Sequence, residues 1–196
     1  MKKLVIASNN PGKLAEFQTL LAPLGIEVVT QSQLGIKEAE EPHHTFIENA
    51  LAKARHVSRE SGLPALADDS GICVDALNGM PGVISARFSG YPLSDQRNNK
   101  ALLEAMKMHT DRRAHYACVL VLMRSAGDAQ PLIAEGEWHG EIALEPRGTG
   151  GFGYDPLFWV PELGKMCSEL SHDEKHAISH RGKAIQVLMQ KLALRT

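Results

Sequence analysis

Two adjacent carboxylates, Asp68 and Asp69, follow the short apolar run Leu63-Pro64-Ala65-Leu66-Ala67 and are followed at once by Ser70 and Gly71. At the mouth of a buried strand, such a pair is where an α/β protein holds a divalent cation or a general base. Asp, Ser and Gly also build solvated turns for purely local reasons. The pair therefore takes its meaning from the segments that accompany it.

The loop Ser8-Asn9-Asn10-Pro11-Gly12-Lys13 offers hydroxyl, amide and backbone N–H donors and one ammonium just where a helical pattern begins. A helix N-terminus with unpaired N–H groups favours phosphate. The loop has neither the G-x-x-x-x-G-K-[ST] nor the G-x-G-x-x-G pattern, which argues against P-loop and dinucleotide chemistry. In Arg147-Gly148-Thr149-Gly150-Gly151-Phe152-Gly153-Tyr154-Asp155-Pro156, four glycines free the backbone for close approach to a ligand. Phe152 and Tyr154 add flat faces on which a purine base could stack, and Asp155 could accept from a base or sugar donor. The segment Lys175 to Lys183 carries five side chains that are or can become cationic: Lys175, His176, His180, Arg181 and Lys183. Ser179 stands where it could cap the last helix and aim its start at an anion or a base carbonyl.

Adjacent Asp68 and Asp69, helped by Glu40 or Glu41, suit Mg²⁺, which takes a few carboxylates together with phosphate oxygens and water. The nine histidines form no H-E-x-x-H or similar ligand spacing, which argues against a histidine metal site. Carboxylates for a hard cation, separated cations for phosphates and an aromatic glycine loop for a base combine into one substrate class. They suggest a nucleoside triphosphate.

The elements that must position these groups follow from periodicity. Leu4 to Ala7 reads as a buried strand, and Leu14, Phe17, Leu21 and Leu24 recur at helical spacing after the Asn10-Pro11 start signal. Ile26 to Val29 is a second strand, and Gly35 to His44 an acidic loop with Glu38, Glu40 and Glu41. A second helix opens at Thr45 with a capping box to Glu48 and ends at Gly62. Its Asn49, Lys53 and His56 form a polar stripe that reads, on spacing alone, as a solvated face. Further on come a strand from Ile72 to Ala76, a helix from Ser94 to Met108, a β-hairpin from Tyr116–Met123 and Leu132–Trp138, and a helical region from Ser171 to Leu194. The fold class is α/β, with a mixed, curved central sheet flanked by helices and two lobes with a cleft between them.

At 196 residues and 43% hydrophobic content, without a linker-like stretch, one domain over 1–196 is expected. A net charge of −2 argues against duplex nucleic acid and polybasic membrane anchoring. Cys73, Cys118 and Cys167 share no C-x-x-C spacing, as expected of reduced thiols. The four apolar residues after Met1-Lys2-Lys3 are too few for a secretory signal, so a soluble, cytoplasmic protein is expected.

At these residues the chain resembles the inosine triphosphate pyrophosphatase family, which removes non-standard purine nucleotides. The resemblance rests on Ala7 to Lys13, Thr45 to Ala50 with Lys53-Ala54-Arg55, and Ala67 to Gly71. It continues through Pro81-Gly82 with Ser85 to Gly90, Gly148 to Pro156 and Ala177 to Gly182. It implies Mg²⁺-dependent cleavage of ITP, dITP and XTP between the α and β phosphates, by a homodimer with no nucleic-acid or membrane partner. On that resemblance Ser8, Asn9, Asn10, Pro11, Gly12 and Lys13 hold the triphosphate, Lys53 contacts phosphate, and Asp69 is base to the attacking water. Asp68, Asp69 and an acidic residue of the Glu38–Glu41 loop, Glu41 favoured over Glu40, serve the metal. Ser70, Phe152, Gly153, Tyr154, Asp155, Lys175, His180 and Arg181 bind the nucleotide. A 6-oxo purine presents an acceptor where adenine has a donor, which suits cationic or N–H donors at His180-Arg181. Two alternatives stay open on the sequence: a nucleotide-binding regulatory module without turnover, and a pyrophosphatase for modified pyrimidine nucleotides.

Overall fold

Asn10 accepts the Lys13 backbone N–H at 3.1 Å, and with Pro11 in the first turn it starts helix α1 (Pro11–Leu21) where the sequence places it. The computed structural model describes residues 2–22 and 25–194, so Leu24, expected on this helix's apolar stripe, lies outside the described residues. Ahead of α1 runs strand β1 (Lys3–Ile6), and after it β2 (Glu27–Thr30). Helix α2 (Phe46–Ser61) is capped by Thr45, whose hydroxyl oxygen accepts the Glu48 N–H at 3.3 Å and donates to the Glu48 carboxylate at 2.6 Å. Gly62, at φ 67°, ends it in the left-handed conformation that glycine adopts without strain.

Beyond α2 come β3 (Ala65–Val74), α3 (Asp95–Ala105), β4 (Arg113–Met123), β5 (Leu132–Ile142), β6 (Phe158–Val160) and β7 (Lys165–Met166). Helices α4 (His172–Ile178) and α5 (His180–Ala193) follow. Among the described residues the strands form one seven-stranded sheet in the order β2-β1-β3-β4-β5-β6-β7. β1 is parallel to β2 and β3, whereas β6 is antiparallel to β5 and β7, so the sheet is mixed as expected.

Three expectations about elements change. The acidic pair is not at a strand's mouth: Asp68-Asp69-Ser70-Gly71 lies inside β3, which fuses the apolar run before it with the strand expected from Ile72. Gly71 makes this continuity possible, since a Cβ there would stand 2.3 Å from the Gly82 carbonyl oxygen and 2.5 Å from the Ser85 hydroxyl. α3 stops at Ala105, short of Met108. The C-terminal helical region breaks at Ser179, whose extended backbone separates α4 from α5.

The chain falls into two compact units, the first made of Met1–Asp69, Cys118–Gly136 and Gly182–Thr196. Its sheet strands bury both faces. Leu4, Ile6, Leu66, Leu120 and Leu122 pack with Phe17 and Leu21 of α1 and Ile185 and Leu188 of α5, while Val5, Ala7, Ala65, Ala67, Val119 and Val121 pack with Ala50, Ala54 and Val57 of α2. The second unit, Ser70–Ala117 and Glu137–Arg181, has its own core of Ile72, Val74, Leu102, Trp138, Tyr154 and Phe158. Among the described residues no helix is long and apolar enough to cross a membrane, and no disulfide joins the cysteines.

Candidate functional site

Successive side chains of a strand point to opposite faces of the sheet, and this separates the two adjacent carboxylates. Asp68 shares the face of Leu66, under α1 and α5, and Asp69 that of Ala67, under α2. Each meets a lysine from the helix over its own face. Lys13 of α1 forms an ion pair with Asp68, which also accepts the Cys118 thiol at 3.2 Å. Lys53 of α2 reaches Asp69 Oδ1 at 2.8 Å and Glu41 Oε1 at 2.9 Å. The structure thus places Asp68 and Asp69 on opposite faces of β3, each paired with its own lysine.

The polar stripe of α2 is not a solvated face. Asn49 is fully buried and Lys53 only 9% exposed, and all three stripe residues hold the acidic loop or β3. Asn49 bonds both the His43 N–H (3.1 Å) and the His43 carbonyl (3.3 Å), Lys53 bonds Glu41, and His56 contacts the Lys37 carbonyl at 2.9 Å. That seam brings Glu41 to Lys53 and leaves Glu40 exposed. In the first loop, Ser8 Oγ accepts the Asn10 N–H at 3.1 Å, while Asn9, Asn10 and Pro11 are exposed and Gly12 is half-buried.

Burial pushes the Asp69 carboxyl above the ordinary aspartate range, and the charges of Lys53 and Lys13 recover only part of that shift. Burial alone would lower the Lys53 ammonium, but Asp69 and Glu41 together overbalance it and hold it above the usual lysine value. Among the described residues no three His, Cys, Asp or Glu side chains gather into a ready-made metal cage. Yet Glu41 and Asp69 each turn an oxygen onto one ammonium at 2.8–2.9 Å. This hard-oxygen pair fits Mg²⁺, which borrows its remaining ligands from phosphate and water.

In the second unit Asp155 is 2% exposed and accepts four protein donors. Oδ1 takes the Tyr116 hydroxyl (3.2 Å) and the Cys167 thiol (3.1 Å), and Oδ2 the Phe152 N–H (2.9 Å) and the Lys175 ammonium (2.6 Å). These four contacts hold the loop to its surroundings. Tyr154 is likewise core, 3% exposed with its hydroxyl donating to the Ser85 carbonyl at 2.8 Å, so it offers no face to a purine. Phe152 remains half-exposed, with the Lys175 ammonium 4.6 Å from its ring centroid. Gly153 is gripped at both ends, its N–H donating to Asp95 at 2.7 Å and its carbonyl accepting from Asn99 at 2.7 Å. His180 stacks on Tyr116 with centroids 4.7 Å apart and planes 11° from parallel. Arg181, 2% exposed, donates to the Ser70 hydroxyl at 3.1 Å. Asn49 and Cys118 thus join the carboxylates of the first unit, and Tyr116 and Cys167 join Asp155 in the second, although sequence reading assigned them no such role. Only Asn49 carried a signal, its place four residues before Lys53.

The glycines of this loop are not interchangeable. A Cβ on Gly151 (φ +75°) would stand 2.0 Å from Asp155 Oδ2, whereas Gly153 (φ +61°) has nothing within 4 Å. Gly153→Ala is expected to cost only left-handed strain, about 1 kcal/mol, and Gly151→Ala about 2–3 kcal/mol more because it also displaces the Asp155 carboxylate. Urea unfolding of the two variants measures the difference, and equal losses would refute this account of the loop.

Fold and site together define an α/β protein with a mixed sheet and an acidic centre counter-charged by lysine. The chain belongs to the Ham1 family, whose model matches residues 4–191. A Nitrosomonas europaea protein named dITP/XTP pyrophosphatase is 66% identical over 193 residues, covering 98% of this chain and 95% of its own. A Ralstonia nicotianae protein of the same name is 61% identical, covering 99% and 98%. Among solved structures, a HAM1 protein from Coxiella burnetii superposes with a TM-score of 0.92 at 47% identity, covering 98% and 99% of the two chains. The Staphylococcus aureus Ham1 protein gives 0.89 at 39% identity over the whole of both chains.

Proposed function

We propose that this chain is a Mg²⁺-dependent nucleoside triphosphate pyrophosphatase that converts dITP, ITP and XTP to the monophosphate and pyrophosphate, keeping them out of DNA and RNA. The observation that carries the proposal is a near-full-length match, at 61–66% identity, to relatives named dITP/XTP pyrophosphatase. The buried centre of Asp69, Lys53 and Glu41 supplies chemistry that suits it.

In this reading Ser8 to Lys13 bind the triphosphate through the N-terminus of α1. Asp69 takes a proton from water as the water oxygen bonds to the α-phosphorus and the bond from that phosphorus to the α–β bridging oxygen breaks. Burial favours this role, since a carboxylate with a raised pKa is a stronger base. Lys53 holds Asp69 in place and offers positive charge to the phosphates. Mg²⁺, held by Glu41 and Asp69, would neutralise phosphate charge and so ease departure of pyrophosphate. Asp68, tied to Lys13 on the other face, and exposed Glu40 would sit outside that ligand pair. Phe152 offers a face to the base, and Lys175, His180, Arg181 and Ser70 offer donors to a 6-oxo purine. Gly153, Tyr154 and Asp155 shape the loop that carries Phe152.

The family resemblance further supports a cytoplasmic homodimer, one catalytic domain over 1–196, acting on free nucleotides. The test is pyrophosphate release from ITP, XTP, dITP, ATP and GTP with Mg²⁺ or EDTA, scored separately from orthophosphate. Mg²⁺-dependent pyrophosphate from the first three, with ATP and GTP nearly untouched, is expected. Orthophosphate instead, or nucleotide binding without turnover, would overturn the proposal.

A further inference from the structure

We infer that Asn49 is a positioning residue that fixes Asp69 and the Glu41-bearing loop relative to each other; the inference rests on the catalytic reading of Asp69 given above. One fully buried amide makes every contact the role needs. Its Oδ1 accepts the His43 N–H at 3.1 Å, and its Nδ2 donates to the His43 carbonyl at 3.3 Å and to Asp69 Oδ2 at 3.3 Å. The His43 N–H, which needs an acceptor, fixes which end of the amide is oxygen.

The geometry has a consequence for each carboxylate. Asp69 is held by two donors on different oxygens, Asn49 on Oδ2 and Lys53 on Oδ1, so its plane cannot rotate about the Cβ–Cγ bond without losing one of them. Glu41 stands two residues before His43, so the peptide that Asn49 clamps sets how far the Glu41 side chain reaches toward Lys53. Asn49 and Lys53 are four residues apart on α2, one turn along the same face. The helix thus sets the spacing of the two carboxylates, and Asn49 touches neither phosphate nor base in this role. Side chains that orient such carboxylates change activity by about 10- to 100-fold when removed.

Two variants test it. Asn49→Ala removes all three bonds, while Asn49→Asp keeps the shape and an acceptor for the His43 N–H but donates to neither the His43 carbonyl nor Asp69. Both are expected to lower kcat for ITP by about 10- to 100-fold with KM within about threefold of the parent. Hydrogen exchange at the His43 amide is expected to speed up in Asn49→Ala and to stay slow in Asn49→Asp, which separates loop anchoring from Asp69 orientation. A kcat within about twofold of the parent in a folded Asn49→Asp protein, or a loss confined to KM, overturns the positioning role while Asp69→Asn remains inactive. Turnover surviving in Asp69→Asn brings down the catalytic reading itself, and this inference with it. Should Asn49→Ala fail to fold, the near-isosteric Asn49→Asp variant decides the question alone.

Discussion

Replacing Asp69 by Asn is expected to lower pyrophosphate release from saturating ITP by about 10²- to 10⁴-fold, the usual contribution of a positioned general base, while leaving ITP affinity within several-fold of the parent. An amide cannot take the proton from water. It also cannot satisfy both neighbours, because Lys53 and Asn49 each present an N–H to a different oxygen of the present carboxylate, and Asn has only one oxygen. The substitution takes a charge out of a site only 5% exposed, so it relieves a desolvation penalty even as it breaks the ion pair to Lys53. Loss of activity with the fold intact is therefore the expected combination. Single-turnover pyrophosphate release and calorimetric titration of ITP measure the two halves, and turnover within tenfold of the parent would remove Asp69 from the role of base.

Much of this centre was legible in the sequence because local rules fix it. Asn10-Pro11 and Thr45 start their helices through side-chain caps that act within three residues, so no tertiary information is needed to place Lys13 and Lys53 on first and second turns. What escaped was set at longer range. The Asp68-Asp69-Ser70-Gly71 tract has the composition of a turn, yet it runs on as part of β3, with the Gly82–Arg87 turn closing tightly on Gly71. Once it is strand, period-2 alternation divides the pair, which a place at the strand's mouth does not reveal.

The same limit explains the α2 stripe and the aromatic loop. Asn49, Lys53 and His56 have the periodicity of a solvated face, and only the return of the acidic loop over them turns that face inward. Tyr154 and Phe152 are two residues apart and alike in type, but the Ser85 carbonyl claims one and leaves the other half-exposed. Asp155 shows the rule in its strongest form. Beside the neighbouring Phe152 N–H, three donors distant in sequence, Tyr116, Cys167 and Lys175, converge on it, and none of these three is visible in the local motif.

Lys53→Met is expected to expose how the centre balances its charge. Methionine keeps the length and apolar stem of lysine but removes an ammonium that bonds both Asp69 and Glu41. Stripping the partner from a buried charge costs about 3–5 kcal/mol; the Glu41 side chain is 32% exposed and screened by water, which places the expected loss toward the lower end. The sign of its pH dependence follows from Asp69. Burial already raises this carboxyl above its ordinary value of 3.8, and without Lys53 it rises further. A raised folded-state pKa contributes stability that is present below the unfolded value and lost as pH rises through the folded one. The deficit of Lys53→Met against the parent is therefore expected to be small near the unfolded aspartate range and to widen as pH climbs toward neutrality. Mg²⁺ is expected to restore part of it at neutral pH, because a divalent cation can take the place of the ammonium on the same two oxygens. Urea midpoints at acid and neutral pH, with EDTA or Mg²⁺, read all three effects. A neutral-pH deficit that Mg²⁺ leaves unchanged would remove Glu41 and Asp69 as the cation's ligands, and a deficit that does not depend on pH would show that the buried Asp69 charge is not what Lys53 neutralises.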